Sequence, residues 1–291
     1  MTTTPSVILA TRIHLGKQSS PPDQLKLINT LTTFLKTAST INASQALIAV
    51  DPEEKIEGYD LVTSITQALD EAQQATRQVM EETGISQLPP CTIIKVSPWG
   101  SFVPALNALT SWACQHQNES YGNTVIMFLS AETSVKKETV LEMSYHMADD
   151  TLVVGAALPG HDYRGSGSAE GIEVDLNGRT CPWNTSAMWN LNKLAMVGFP
   201  LVGDGLHQQE DGSPVAPGIE EFATVLLHQK MMGGSSTLKA KLVKVSGVEW
   251  EQNFEDEERR KWHETKMKSK FTRAEVHRSI LGGGTGKVIH Y

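Results

Sequence analysis

Short apolar runs alternate with helical repeats of apolar and polar positions through the first 160 residues. Five apolar runs have the length of buried strands and lie at residues 6–13, 46–50, 92–96, 124–129 and 151–157. Four segments between them repeat apolar side chains at helical spacing, at residues 25–37, 61–82, 104–116 and 136–147. This alternation predicts an α/β fold, a Rossmann-like doubly wound, mostly parallel sheet with helices on both faces.

The last third of the chain has a different pattern. Residues 181–198 and 219–232 have helical spacing, and residues 238–250 alternate as a half-exposed strand would. Mixed charges from residue 255 to residue 278 predict a helical C-terminal arm. Residues 160–179 are rich in Gly, Ser and Asp, which favours a mobile surface loop that closes over a ligand.

Composition excludes several classes of protein. The chain has 25 Lys and Arg against 33 Asp and Glu, a net charge of −8, which argues against a nucleic-acid binder. No window approaches the roughly 20 apolar residues of a membrane span. The N-terminus lacks the pattern of a secretory signal, so we expect a cytoplasmic protein. Three widely separated cysteines indicate neither a disulfide framework nor a thiolate zinc site.

The carboxyl ends of the predicted strands carry the candidate ligand-binding residues, because ligands of such sheets bind there. These residues are Arg12, Asp51, Gly100, Ser130 and Glu132. Each has a structural alternative. Arg12 could form a surface ion pair, Asp51 could close a turn before proline, and Glu132 could cap the following helix.

Three segments in a fixed order carry a resemblance to a known family. They read PALNALTSWA (104–113), GNTVIMFLSAETSV (122–135) and TLVVGAA (151–157). Two later segments, WNTSAMWNLNKLAMVGF (183–199) and GIEEFATVLL (218–227), extend it. Together they resemble the glycosyltransferase family 2-like members of the nucleotide-diphospho-sugar transferases, which have the GT-A fold. The resemblance covers roughly residues 6–250.

The resemblance implies transfer of a sugar from a nucleotide-diphosphate donor to an unidentified acceptor. In this family a D-x-D motif helps to hold Mg²⁺ or Mn²⁺ beside the donor diphosphate. Here Ser130 and Glu132 occupy the two acidic positions, so one carboxylate is absent and metal affinity without substrate should be weak. The resemblance places Arg12 near the diphosphate or base and Asp51 near the base or ribose.

An acidic pair at the start of a helix is the implied catalytic base. Glu220 and Glu221 stand where the family usually shows Glu-Asp, although the helix dipole alone would favour acidic residues there. Gly100 and Asn107 match the Ala-Leu-Asn region of the donor site. Trp183 is predicted to stack on a sugar or acceptor, since a ring offers an apolar face to carbohydrate, although core packing is the commoner role of Trp.

On this basis residues 1–250 form a GT-A-like nucleotide-sugar-binding and catalytic domain, and residues 251–291 a charged helical arm with a flexible Gly-rich terminus. A homodimer through this arm is one hypothesis. Two other functions stay open: a GT-A-fold binding or scaffold protein without catalysis, and a nucleotidyltransferase that makes the sugar nucleotide. The histidines form no ligand pattern, and His161 and His207 are weak candidates for a further metal ligand.

Overall fold

The computed structural model describes residues 5–14, 21–53, 55–56, 59–83, 87–117, 123–166, 169–205, 212, 217–250 and 257–291. The strands are β1 Ser6–Ile13, β2 Gln45–Val50, β3 Lys55–Ile56, β4 Tyr59–Asp60, β5 Cys91–Lys95, β6 Thr124–Leu129, β7 Thr133–Val135, β8 Thr151–Ala156, β9 Ile172–Asp175, β10 Ser186–Asn190, β11 Lys239–Val243, β12 Val248–Trp250 and β13 Lys287–His290. The α-helices are α1 Gln24–Thr40, α2 Leu61–Thr83, α3 Val103–His116, α4 Lys137–Tyr145, α5 Leu191–Val197, α6 Glu220–Met231 and α7 Glu257–Ile280, and Leu201–Asp204 is a short 3-10 helix.

Nine strands form one mixed sheet in the order β5-β2-β1-β6-β10-β8-β11-β13-β9. Strands β5, β2, β1 and β6 are parallel, as are β8, β11 and β13. β10 is reversed between β6 and β8, and β9 is reversed at the edge. The predicted α/β fold with a large, mostly parallel sheet flanked by helices is therefore confirmed, with two antiparallel strands added.

Helices cover both faces of this sheet. Met188 and Trp189 are neighbours on β10, so their side chains point to opposite faces. Met188 accepts a hydrogen bond from Ser144 of α4, whereas Trp189 packs edge-on against Phe199. Phe199 is bound in turn to Asn107 of α3, so α3 and α4 lie on opposite sides.

Three C-terminal predictions differ from the structure. Residues 181–198 contain strand β10 before helix α5, because residues 186–190 of this segment complete the ladder between β6 and β8. Residues 172–175 of the predicted loop form β9 at the edge of the sheet. Residues 239–243 and 248–250 are two separate strands rather than one.

The chain end is part of the same sheet. The predicted helix of the C-terminal arm is present as α7, but the expected flexible terminus forms β13, which pairs in parallel with β11. Val288 is fully buried there, so burial of its hydrophobic surface stabilises this strand.

The homodimer through the C-terminal arm stays a prediction. Among the described residues, no helix combines the length and apolar character needed to cross a bilayer.

Candidate functional site

Charged residues from distant parts of the chain converge at the carboxyl end of β1. Arg12 is the penultimate residue of that strand, and its side chain is half-buried. Arg12 Nη1 donates to the Ser101 carbonyl at 2.9 Å, and the guanidinium carbon lies 4.3 Å from the centre of the Phe102 ring. The cation is therefore held on the α3 side of the sheet.

The charges of four carboxylates act on Arg12. Burial lowers the pKa of Arg12, while Glu220, Glu221, Glu132 and Asp204 act against that shift by charge attraction. An arginine that is partly removed from water is stabilised where opposite charges or hydrogen bonds replace the lost water. The structure thus brings three of the predicted site residues, Glu132, Glu220 and Glu221, within electrostatic range of the predicted Arg12.

The glutamate pair lies in the first turn of α6 and is nearly removed from solvent, with 5% of each residue exposed. Asn184 binds both side chains. Its backbone N–H donates to Glu221 Oε1 at 2.6 Å, and its side-chain amide donates to Glu220 Oε1 at 3.4 Å. The same amide accepts from Trp189 Nε1 at 2.9 Å, which fixes the orientation of Asn184.

The burial of this pair changes the acidity of Glu221. Burial raises its pKa to about 7, and the neighbouring charge of Glu220 acts in the same direction. Lys270 and the Asn184 N–H oppose the shift by stabilising the carboxylate. A carboxyl group with this pKa exchanges a proton near neutral pH, which is the property of a general acid or base.

The turn before α6 has a strained backbone. Ile219 has φ 63°, a left-handed conformation that is rare for a β-branched residue. The Gly218 N–H donates to the Gly203 carbonyl at 2.8 Å, so the turn is tied to the 3-10 helix. Strain of this kind persists where surrounding contacts impose it, and it fixes the direction in which α6 presents Glu220.

Asp204 caps helix α3 from the other side of the site. The helix has no side-chain cap from its own N-cap residue, Phe102. Instead Asp204 accepts from the backbone N–H groups of Ser101 at 2.9 Å, of Phe102, and of Val103 at 2.8 Å. Its own exposure is 3%. A buried carboxylate at a helix N-terminus is stabilised both by these donors and by the helix dipole.

The predicted Gly100 and Asn107 contribute to this scaffold. Gly100 has φ 64°, and a Cβ atom there would lie 2.2 Å from Asp204 Oδ2, so a side chain would displace the capping carboxylate. The Asn107 amide donates to the Phe199 carbonyl at 2.9 Å and accepts from the Phe199 N–H at 2.8 Å. Gly100 thus leaves room for the Asp204 carboxylate, and Asn107 binds the backbone of Phe199. The predicted donor contacts of both residues stay predictions.

Trp183 lies inside the protein rather than at an open surface, with 2% exposure. Its ring centre is 3.6 Å from that of the stacked His161 imidazole, and the Lys270 ammonium lies 3.8 Å from the ring. Its Nε1 donates to the Gly178 carbonyl at 3.1 Å. The indole packs against these groups, which supports the sequence alternative of core packing; its stacking on a sugar stays a prediction.

His161 beside Trp183 is neutral. Its Nδ1 accepts from the Leu158 N–H at 2.9 Å, so the ring proton is on Nε2, which donates to the Cys181 carbonyl at 3.1 Å. Burial lowers the pKa of His161 to about 3, and the positive charge of Lys270 adds to this shift. Both ring nitrogens of His161 are therefore hydrogen-bonded to backbone groups. His207, the other histidine considered from the sequence, lies outside the described residues.

We expect His161 to make the protein acid-sensitive. Its folded-state pKa is depressed, so its stabilising contribution is complete above about pH 6.5 and is lost as pH falls toward 3, with a loss of about 3 kcal/mol by pH 4. Urea unfolding between pH 4 and pH 8 should show a flatter pH dependence for His161→Gln than for the wild type. His116→Gln, at an exposed residue, is the control. Parallel curves for wild type and His161→Gln would contradict the assignment.

The remaining predicted residues lie at neighbouring strand ends. Asp51 follows β2, and its Oδ1 accepts from the Glu53 N–H at 2.8 Å, the turn role considered from the sequence. The Ser130 carbonyl accepts from the Thr133 N–H at 2.9 Å. Glu132 is exposed. Their predicted contacts with donor and metal stay predictions.

A divalent cation would find few protein ligands here. Within the part of the chain that the structure describes, no three His, Cys, Asp or Glu side chains are grouped as a metal site. Glu132 alone would supply one carboxylate, and phosphate oxygens and water would have to complete the shell of Mg²⁺ or Mn²⁺. Such a donor set fits a cation that arrives with its phosphate ligand.

Four residues of the site are absent from the sequence-based set: Asn184, Asp204, Lys270 and Arg273. Asn184 follows Trp183 in the segment 183–199, which is part of the family resemblance, so this segment could have indicated Asn184 as a site residue. Asp204 lies in a turn-rich segment, and the two α7 residues lie in a charge-rich one. Local spacing contains no signal for these three, because their partners are distant in the chain. Asp204 binds Ser101, 103 residues away, Arg273 binds Pro217, 56 residues away, and Lys270 packs on Trp183.

Comparison with known proteins gives a general likeness of fold. No protein-family model and no curated protein sequence matches the chain. A UTP-bound UGPase from Acinetobacter baumannii matches with 12% identity and a TM-score of 0.38, covering 67% of this chain and 78% of that one.

Two further solved structures are similar at the same level. The 4-diphosphocytidyl-2C-methyl-D-erythritol synthase of Anaerococcus prevotii has 8% identity and a TM-score of 0.32, covering 67% of this chain and 75% of that one. A protein described as a glucose-1-phosphate thymidylyltransferase, from Bacillus anthracis, has 11% identity and a TM-score of 0.39, covering 84% and 87%. Similarity of this degree does not identify a reaction.

Proposed function

We propose that this protein transfers a sugar from a nucleotide-diphosphate donor to an acceptor hydroxyl. The observation that supports this proposal is the buried glutamate pair at the start of α6, beside Arg12 at the carboxyl end of β1. Glu221 has a pKa of about 7, so it can accept a proton at neutral pH. Ligands of open α/β sheets bind at this end of the strands.

The proposed reaction uses Glu221 as general base. Glu221 removes the proton of the acceptor hydroxyl, whose oxygen forms the new bond to the anomeric carbon of the sugar. The bond from that carbon to the diphosphate oxygen breaks, and its electron pair leaves with the diphosphate. Arg12 stabilises the charge that develops on the leaving group. A divalent cation held with the donor at Glu132 would neutralise further diphosphate charge.

Asn184 and Glu220 complete this arrangement. Asn184 holds one oxygen of Glu221 at 2.6 Å, which orients the other oxygen. Glu220 raises the pKa of Glu221 because two close carboxylates do not ionise independently. We therefore assign the proton transfer to the pair, with Glu221 as the residue that accepts the proton.

Nucleotidyl transfer is the second candidate. Arg12, Lys270 and Arg273 give the site three cations, and such clusters suit the transfer of a nucleotidyl group between phosphates. The titles of the similar solved structures name enzymes of this kind. A sugar phosphate is already ionised when it attacks, however. Nucleotidyl transfer therefore does not need a general base such as Glu221.

A thermal-shift screen tests whether a donor binds. UDP-, GDP-, ADP- and CMP-linked sugars are added with and without Mg²⁺ or Mn²⁺. One nucleotide class should raise the melting temperature, since a ligand at 100 times its Kd adds about 2.7 kcal/mol of stability. Glu132→Ala should reduce the part of the shift that depends on the cation, while Glu138→Ala on exposed α4 serves as control.

Product analysis then separates the functions. Release of nucleoside diphosphate from the donor, with or without an added sugar acceptor, supports sugar transfer. Release of pyrophosphate from a nucleoside triphosphate and a sugar 1-phosphate would replace it by nucleotidyl transfer. Binding of a nucleotide sugar with neither product would point to the scaffold alternative, and absence of any shift would contradict the donor site.

A further inference from the structure

Helix α7 reaches the glutamate pair from the C-terminal end of the chain. Lys270 and Arg273 are three residues apart, so they lie on one side of the helix. Lys270 is 8% exposed. Arg273 Nη1 donates to the Pro217 carbonyl at 2.6 Å, just before the strained turn that begins α6. The helix thus places two cations against the segment that presents Glu220 and Glu221.

The position of Lys270 depends on a close backbone contact. A Cβ atom at Gly178 would lie 2.2 Å from the Lys270 carbonyl oxygen, so only glycine allows α7 to approach this far. The Gly178 carbonyl in turn accepts from Trp183 Nε1. Gly178 therefore connects the helix to the indole on which the Lys270 ammonium packs at 3.8 Å.

Trp183 connects Lys270 to the segment that binds the glutamates. Asn184 is its immediate neighbour in the chain and binds both carboxylates. The cation and the ring attract each other most strongly where water is excluded, as it is here. A contact between Lys270 and Trp183 therefore fixes the segment from which Asn184 donates.

The charge of Lys270 acts on the pair directly as well. Burial lowers the pKa of Lys270, while Glu221, Cys181 and Glu220 oppose that shift. Glu221 faces Glu220 on α6, Lys270 and Arg273 on α7, and the Cys181 thiol, and its charge also reaches Arg12 on β1. Among the surrounding cations, Lys270 lowers the pKa of Glu221 most.

From these contacts we infer that Lys270 is a positioning residue for the Glu220–Glu221 pair, which it orients through Trp183 and Asn184 and keeps available as a proton acceptor by its charge. The role of Lys270 in proton transfer rests on the proposed function. The electrostatic and structural coupling between α7 and the glutamate pair does not rest on it, so this coupling can be tested without substrate.

The first test is a titration of Glu221 by carbon-13 NMR of the glutamate carboxyl groups, assigned with Glu221→Gln. Lys270→Met should move the midpoint of Glu221 upward by about one pH unit, whereas Lys270→Arg should leave it near the wild-type value. Lys268→Met, at an exposed residue of α7, is the control. A folded Lys270→Met protein with an unchanged Glu221 midpoint would overturn the inference.

A second measurement covers the case in which Lys270→Met does not fold. Coupling between two titrating groups is reciprocal, so Glu221→Gln should lower the pKa of Lys270 by about the amount that Lys270 lowers that of Glu221. Nitrogen-15 NMR of the lysine ammonium groups reports this value. An unchanged Lys270 titration in Glu221→Gln would again overturn the inference.

Activity separates the two proposals. If sugar transfer is observed, the acid limb of its pH profile should move to higher pH in Lys270→Met, in parallel with the NMR midpoint, with a smaller change in KM than in kcat. Normal coupling in both titrations without any transfer would contradict the proposed function and leave the positioning role intact. Transfer with an unmoved pH profile would contradict the positioning role.

Discussion

Glu221→Gln is expected to lower the rate of sugar transfer by about 100-fold or more, which is the range for loss of a general base. The amide keeps an oxygen that can accept from the Asn184 N–H, so the local structure should persist. Donor binding in the thermal-shift assay should be nearly unchanged, because the lost group acts on the acceptor hydroxyl. Steady-state kinetics with saturating donor measure the effect.

Stability measurements on the same variant test whether unfolding causes that loss. The folded-state pKa of Glu221 is raised from its ordinary 4.5 to about 7, so its favourable contribution is complete below pH 4.5 and disappears as pH rises through 7. Relative to wild type, Glu221→Gln should therefore gain on the order of 3 kcal/mol between these pH values. Glu138→Gln, in the first turn of α4, is the matched control. Turnover within about threefold of wild type would exclude Glu221 as the base.

Asp204→Ala is expected to reduce the free energy of unfolding by about 3–5 kcal/mol. The substitution removes the acceptor of three backbone N–H groups at the start of α3, and all three lie where water replaces the carboxylate poorly. It also removes a negative charge that stabilises Arg12. Chemical denaturation followed by circular dichroism measures the loss.

Asp23→Ala provides a comparison within the same protein. Asp23 is the N-cap of α1, is exposed, and accepts a single bond from the Leu25 N–H at 2.9 Å. Its loss should cost about 1 kcal/mol, the usual value of a surface cap. Equal effects of the two substitutions would show that Asp204 does not hold α3 in the way described.

The sequence pattern was most informative for strands in which every residue is buried. Residues 124–129 and 151–156 are fully buried strands, as continuous apolar runs between helices predict for a parallel sheet. The pattern failed at residues 186–190, because a strand buried on both faces between two others carries no alternation. The apolar positions around this strand, Trp183, Trp189, Leu191, Leu194 and Val197, have a spacing that also fits a helix.

The acidic pair could be located because the helical spacing of residues 219–232 predicts the start of α6. Its candidate role came from the resemblance to a known family. The sequence by itself therefore determined the α/β class, most of the helices and strands, and the strand ends at which charged residues meet. Only the tertiary structure decided that Asp204 caps α3, that β13 joins the sheet between β11 and β9, and that Lys270 approaches Glu221. Those contacts join residues far apart in the chain, and the acidity of Glu221 depends on burial and on surrounding charges, which no local pattern encodes.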